Sequence, residues 1–332
     1  MPRKILFVER KVSRYVSIEK AFRQIAACIS ERYETGFQQL PYGPKFFDSI
    51  RNLLFFRKGR ADIYHITGHV HYIALLFSPR NTVLSVMDVR FISAPRSLRR
   101  FVLKKLYLDL PVKRLKYITA ISDQTRADIL KYTGCSPEKV RTLELPLCGR
   151  ISSTELKPFD AACPIILQIG TMENKNLPML ARALNGINCR LRIIGVLTED
   201  QLKALSENHI NYENAFDLSD DDIRSEYNNA DIVAFCSILE GFGLPIIEAQ
   251  SMGKPVITSD LSPMKETSGG AAHLADPFDH ESIRSGIKLI IDDAGYRTKL
   301  IEAGYENVER FAPEHIAAQY EKLYDEILGS EA

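Results

Sequence analysis

The stretch that most limits how this chain can fold runs from Asp231 to Ser259. Asp231-Ile-Val-Ala-Phe-Cys236 is an apolar run, the mark of a parallel strand buried on both faces. Glu240-Gly-Phe-Gly-Leu-Pro245 follows, with glycines where the main chain turns and can approach a ligand closely. A short helix comes next, with Pro245 in its first turn, where a missing N–H costs little. It ends at Gly253, and Pro255-Val-Ile-Thr-Ser259 is a second strand. Strand, glycine loop, helix and strand in this order form one unit of a parallel, doubly wound sheet. The loop sits at a strand's carboxyl end and at a helix N-terminus. Backbone N–H groups and the helix dipole favour an anion such as phosphate there.

Two acids, Glu240 and Glu248, stand in this anion-facing segment. Carboxylates repel phosphate, so sugar or ribose hydroxyls are the partners expected for them. For either acid alone, a buried turn carrying a solvated carboxylate is the competing reading. Taken together, E-G-F-G-L-P-x-x-E-A-x-x-x-G-x-P-V resembles the extended E-x7-E motif of retaining glycosyltransferases, family 4. The resemblance is close over roughly residues 160–315 and loose over the N-terminal half.

That resemblance implies the GT-B fold: α/β, with two doubly wound Rossmann-like domains facing a cleft. It implies an N-terminal acceptor-side domain over residues 1–155 and a nucleotide-sugar domain over 156–312. A last helix over 313–332 would cross back to the first domain. It implies a hexosyltransferase-like enzyme that takes a sugar from a nucleotide-diphosphate donor with retention of configuration. The acceptor would be a glycan, lipid-linked, in bacterial-type surface polysaccharide synthesis. No cofactor and no metal are implied. Independently, 332 residues exceed the usual single core, so two domains are expected. Two other classes stay open: a nucleotide-sugar-binding subunit that has lost catalysis, and an isomerase of the same fold. Transfer that requires both donor and acceptor would separate the three.

The implied donor site draws on Ser237, Gly241, Phe242, Gly243, Leu244 and Glu248, and on a second loop. Pro164-Ile-Ile-Leu-Gln-Ile-Gly-Thr-Met-Glu-Asn-Lys-Asn176 resembles the family's G-x-x-x-x-K-N donor loop. There Gly170, Thr171 and Lys175 would hold the diphosphate. Many relatives carry an arginine where Thr171 stands, so its hydroxyl and backbone N–H would serve instead. The competing reading makes Lys175 an exposed helix-start residue.

In the N-terminal half the resemblance is weaker. Lys4-Ile-Leu-Phe-Val8 reads as a strand, but Glu9 to Lys20 contains no glycine, which argues against a phosphate loop there. Arg10, Lys11 and Arg14 are either contacts for an anionic acceptor or a solvated basic loop. Asp62 to Ile66 reads as a strand, with Gly68, His69 and His71 in the turn after it. No cysteine or acid cluster completes a metal site around these histidines. Thr82 to Val89 is another strand, with Met87 where the family's donor-facing histidine would fall. The candidate catalytic groups are Glu240, His69 and Asp88; either His69 or His71 takes the missing histidine's role, or the chemistry leans on Glu240 and substrate groups alone.

The net charge of +1 hides an asymmetry. Residues 1–150 hold 28 Lys+Arg against 12 Asp+Glu, and the remainder holds 15 against 30. A basic half suits an anionic membrane or an acidic partner. Ser93 to Leu110 reads as a helix with bases at Arg96, Arg99, Arg100, Lys104 and Lys105, on which Phe101 and Leu108 stand exposed among Arg100, Lys104 and Lys105, as on an interfacial helix. The alternative is that Phe101 packs under a loop. Nucleic acid is not expected, because this helix lacks interleaved stacking aromatics. Six scattered cysteines without a signal-like start suggest reduced thiols and a cytoplasmic protein. Peripheral binding at the inner face of the cell membrane is the expected variation.

Overall fold

The computed structural model describes residues 2–11, 17–43, 45–92, 97–148 and 157–329. Arg14, Arg96 and the expected boundary at 155–156 lie outside them. The chain divides into two compact units, Met1–Cys148 with Phe311–Ala332, and Gly149–Arg310.

The first unit holds a parallel six-stranded sheet of β1 (Arg3–Glu9), β2 (Tyr33–Gln39), β3 (Ile63–Ile66), β4 (Thr82–Val86), β5 (Tyr117–Ala120) and β6 (Val140–Thr142). Its order is β2-β1-β3-β4-β5-β6. The order reverses between β1 and β3, which pair with Val8 opposite Ile66. Its helices are α1 (Ser17–Cys28), α2 (Phe46–Phe55), α3 (Leu98–Lys104), α4 (Leu110–Arg114) and α5 (Asp123–Thr133). Ile5, Phe7, Ile63, Ile66, Val83 and Leu84 are fully buried, as the unbroken apolar runs require.

The second unit repeats the plan with β7 (Ile165–Ile169), β8 (Arg190–Ile194), β9 (Tyr212–Ala215), β10 (Ile232–Phe235), β11 (Val256–Ser259) and β12 (His273–Ala275). All pairs are parallel in the order β12-β11-β10-β7-β8-β9. Helices α6 (Leu177–Leu184), α7 (Glu199–Glu207), α8 (Asp220–Asn229), α9 (Leu244–Ser251), α10 (Met264–Ser268), α11 (His280–Asp292) and α12 (Ala294–Val308) connect them. The last helix, α13 (Pro313–Gly329), belongs to the first unit. Its Tyr324 hydroxyl meets His65 Nδ1 at 2.6 Å, and its Glu321 meets Arg32 at 2.9 Å.

His65 on β3 shows what such burial does to a titratable group. Its Nε2 lies 2.7 Å from Ser85 Oγ, and it is fully buried. Burial pushes its pKa down to about 3, and burial likewise brings His71 to about 4. The unfolded chain binds these protons near pH 6.5, whereas the folded chain does not. Stability therefore falls as pH drops below the unfolded value, and continues to fall until the folded values are reached. Each histidine is expected to remove about 2 kcal/mol between pH 7 and pH 5. Urea unfolding at the two pH values measures this, and His65→Gln should reduce the difference by its own share. A wild-type stability that does not change over this range would contradict it.

One expected element is corrected. The helix expected over Ser93–Leu110 is described from Leu98 onward, and Ser97 caps it by accepting the Arg100 N–H. A π-helical turn over Lys105–Asp109 interrupts it before α4. The wider turn shifts the phase away from 100° per residue. Leu108 is consequently buried and packed in the core, while Phe101 stays exposed. Leu108 therefore leaves the exposed set of Arg100, Phe101, Lys104 and Lys105. Lys104 and Lys105 also pair with Asp109, at 2.6 and 3.0 Å.

Candidate active site

In the second unit the strand order reverses between β7 and β10, which lie side by side. At such a switch point the loops leave in opposite directions, and a crevice opens at the strands' carboxyl ends. Both sequence-picked loops start there, one after Ile169 and one after Phe235.

The loops are tied directly to each other. Ile238 N–H donates to the Asn174 carbonyl at 2.9 Å. Asn174 Nδ2 donates to the Leu239 carbonyl at 2.8 Å and to Glu240 Oε1 at 3.0 Å. Lys175 Nζ donates to the same Oε1 at 2.7 Å and lies 4.4 Å from the centroid of the Phe235 ring. Both members of this ion pair are largely buried. Asn176 has φ 61°, a conformation asparagine tolerates better than most residues. Its Nδ2 donates to the Cys236 and Pro277 carbonyls at 3.1 and 2.7 Å. Gly170 has φ +90°, and a Cβ there would lie 2.9 Å from Lys175 Cε. A side chain at 170 would therefore move the ammonium.

Several groups expected at this site have partners within the fold. Glu240 meets a lysine and an amide here. Its charge and that of Lys175 hold each other beside the strand ends. The Thr171 hydroxyl donates to the Val196 carbonyl at 2.7 Å, so its proton is used inside the fold. Phe242 is buried, and its carbonyl accepts from Thr267 at 2.8 Å. At the start of α9, Pro245 has no N–H and Ile246 N–H is taken by the Gly243 carbonyl at 2.9 Å. The helix N-terminus therefore offers fewer amides than a generic one.

Gly243 has φ +115°, so glycine suits the hinge into α9. Leu244 opens that helix, and Gly241 precedes the turn. Ser237 is fully buried with no protein partner for its Oγ, as is Gln168 Oε1 near the end of β7. Glu248 accepts from the Tyr227 hydroxyl at 2.6 Å. Burial, reinforced by the Glu248 charge, raises the Tyr227 pKa well above its ordinary value. Tyr227 therefore remains a donor at neutral pH. Tyr227, Asn174 and Asn176 were absent from the residues picked by sequence. Asn176 could have been found in the K-N pair, whereas nothing local marks Tyr227.

In the first unit the neighbouring strands β3 and β4 bring together His69 and Asp88, with Nε2 and Oδ2 at 3.8 Å. Asp88 also accepts from Arg90 Nε at 3.1 Å and Arg90 N–H at 3.0 Å. Burial lowers the His69 pKa despite Asp88, with Arg10 and Arg90 adding to it. His69 is thus neutral at pH 7 and can accept a proton. His71 is fully buried, with Nδ1 2.8 Å from the Tyr107 carbonyl. Met87 is buried beside this group of residues in the sequence. Arg10 is bound to Glu19 at 2.6 Å. Of the expected basic loop contacts, only Lys11 stands exposed among the described residues. No group of three or more His, Cys, Asp or Glu among the described residues is arranged to hold a metal.

The comparisons with known proteins fit this geometry. The model for glycosyl transferases group 1 matches residues 157–307. The O-antigen chain mannosyltransferase B of Escherichia coli is 28% identical over 256 residues, 69% of this chain and 65% of that protein. The O-antigen chain mannosyltransferase RfbU of Salmonella typhimurium is 25% identical over 66% of this chain and 63% of its own length. The matches thus span less than two thirds of either relative. A glycosyltransferase from Rickettsia africae superposes with a TM-score of 0.75 at 18% identity, covering 98% of this chain and 99% of that one. The Anabaena protein HepE, solved with UDP-glucose, gives 0.74 at 17% identity over 99% and 100%. These two structures share the two-sheet α/β fold throughout. Residues 157–307, nearly the whole of the second unit, match the glycosyl transferases group 1 family, and the chain has the α/β architecture of the GT-B fold.

Proposed function

We propose that this protein is a retaining, metal-independent glycosyltransferase. It moves a hexose from a nucleotide-diphosphate sugar to a glycan acceptor, lipid-linked, in surface polysaccharide synthesis. The observation that carries this reading is the Lys175–Glu240 pair, 2.7 Å apart at the carboxyl ends of the two central strands. A single ammonium at a switch point suits a leaving diphosphate, whose charge grows as the glycosidic bond breaks. Glu240 beside it suits the sugar hydroxyls, and Glu248, held by Tyr227, suits the ribose. Gly170, Gly241, Gly243 and Leu244 supply close backbone, and Ser237 an unpaired hydroxyl. His69 and Asp88 sit on the acceptor-side unit as proton-handling groups. The relatives' printed activities support a mannosyl donor as the first choice, with a glucosyl donor second.

Met87 keeps the second reading in view, that of a binding subunit without catalysis. The test is incubation with mannosyl and glucosyl nucleotides, with and without a lipid-linked oligosaccharide. Transfer that needs both substrates, with the anomeric configuration kept, is the expected result. Nucleotide binding without turnover on any acceptor would favour the binding subunit, and conversion of donor alone would favour an isomerase. Among the described residues no helix is long and apolar enough to cross a membrane, so the acceptor would be met at a surface. The basic first unit would suit an anionic leaflet there.

A further inference from the structure

Helix α2 is built inside out. At 100° per residue, Phe46, Ile50, Leu54 and Phe47 fall within an arc of about 100°. All four are exposed, Phe47 to 74% and Leu54 to 61%, and Phe55 beside them is exposed as well. The two buried residues of the helix are polar, Ser49 and Asn52. They lie on the opposite side and are held by specific bonds. Ser49 Oγ meets the Tyr107 hydroxyl at 2.8 Å, and Asn52 Nδ2 donates to the Tyr72 hydroxyl at 2.9 Å. Asn52 Oδ1 also accepts the Tyr42 N–H at 3.0 Å. A helix in water is expected the other way round. Five large apolar groups facing outward on ten residues mark a surface meant for an apolar phase.

The charges around it select the partner. Lys45, Arg51, Arg57, Lys58 and Arg60 are all exposed, against the one acid Asp48 in the same stretch. Tyr107 belongs to the π-turn that follows α3, so the Ser49 bond joins α2 to the segment carrying exposed Leu98 and Phe101. A second copy of this chain would bring this basic rim against itself. We propose that α2 is a docking helix that lays its apolar face into the headgroup–acyl boundary of an anionic lipid bilayer, with the basic rim on the headgroups. The face needs no shape match to such a phase, and each base near an anionic surface contributes roughly a fivefold factor in binding. The inference rests on the proposed acceptor only for its purpose, since it gives a soluble enzyme access to a lipid-linked substrate.

The test is flotation of the full chain with vesicles of phosphatidylcholine alone or with phosphatidylglycerol. Anionic vesicles should carry the protein, neutral ones should carry far less, and salt should weaken the binding. Phe47→Ser/Leu54→Ser removes two exposed side chains, so folding is retained, and binding should drop by roughly tenfold or more. Arg57→Glu/Lys58→Glu should lower binding to anionic vesicles alone. Unchanged flotation in the Phe47→Ser/Leu54→Ser variant, or none in the wild type, would overturn the proposal. So would a dimer, seen by sedimentation without lipid, that this variant dissolves. Displacement from vesicles by a single-stranded oligonucleotide would overturn it too. Flotation involves no transfer, and activity on a soluble acceptor involves no membrane, so each reading can fail without the other.

Discussion

Lys175→Met is expected to lower turnover roughly 10²–10³-fold, the scale for removing one donor that holds developing negative charge. Binding of a nucleoside diphosphate should weaken far more than binding of the nucleoside, because only the diphosphate presents charge to the ammonium. Glu240→Gln should leave diphosphate binding largely intact and lower turnover, because the proposed function assigns Glu240 to the sugar. The structure adds a coupling. With Nζ and Oε1 2.7 Å apart and both side chains largely buried, either single variant leaves a charge without its partner. That uncompensated charge is the destabilising part of breaking such a pair. The double variant Lys175→Met/Glu240→Gln should therefore unfold later than the sum of the singles indicates, while remaining inactive. Thermal unfolding, calorimetric titration and donor-dependent transfer measure the three quantities. Equal losses for nucleoside and diphosphate would make Lys175 a structural residue. Wild-type turnover in Glu240→Gln would take Glu240 out of the site.

Glu248→Gln should weaken nucleotide binding by about 1–3 kcal/mol, the scale of hydrogen bonds to a charged group. The loss should be similar for nucleoside and nucleoside diphosphate, since the ribose is common to both. This separates it from the Lys175 pattern. Tyr227→Phe tests how the carboxylate is positioned. Its hydroxyl reaches Glu248 Oε2 at 2.6 Å, and burial keeps it protonated. Without that donor the carboxylate is less firmly aimed, so a smaller loss of affinity is expected than in Glu248→Gln. Unchanged affinity in Glu248→Gln would remove the ribose role, and a larger effect in Tyr227→Phe would make the tyrosine the ligand contact.

Both predictions use residues that were legible in the chain, together with partners that were not. Glu240, Glu248 and Lys175 could be picked because their setting is local: an apolar run, a glycine turn and a helix start within a few residues. Tyr227 stands 21 residues from Glu248, and only the packing of α8 beside α9 brings them together. The Thr171 hydroxyl looked available because its acceptor, the Val196 carbonyl, lies on another loop. Leu108 was misplaced for a different reason. Helical projection assumes a constant turn, and the π-turn at Lys105–Asp109 adds to that turn and rotates everything beyond it.

The sequence by itself determined the parallel strands and the loop between β10 and α9. Continuous apolar runs, and glycines such as Gly243 at φ +115°, act over a few residues and leave few alternatives. Only the tertiary structure decided which charges meet. Lys175 and Glu240 are 65 residues apart, and their bond exists because β7 and β10 are neighbours at a reversal of strand order. It also decided the outward face of α2. Polarity alone would bury Phe47 and Leu54 and expose Ser49 and Asn52. The hydroxyls of Tyr107 and Tyr72, brought in by other segments, satisfy the buried polar pair and leave the apolar face outward.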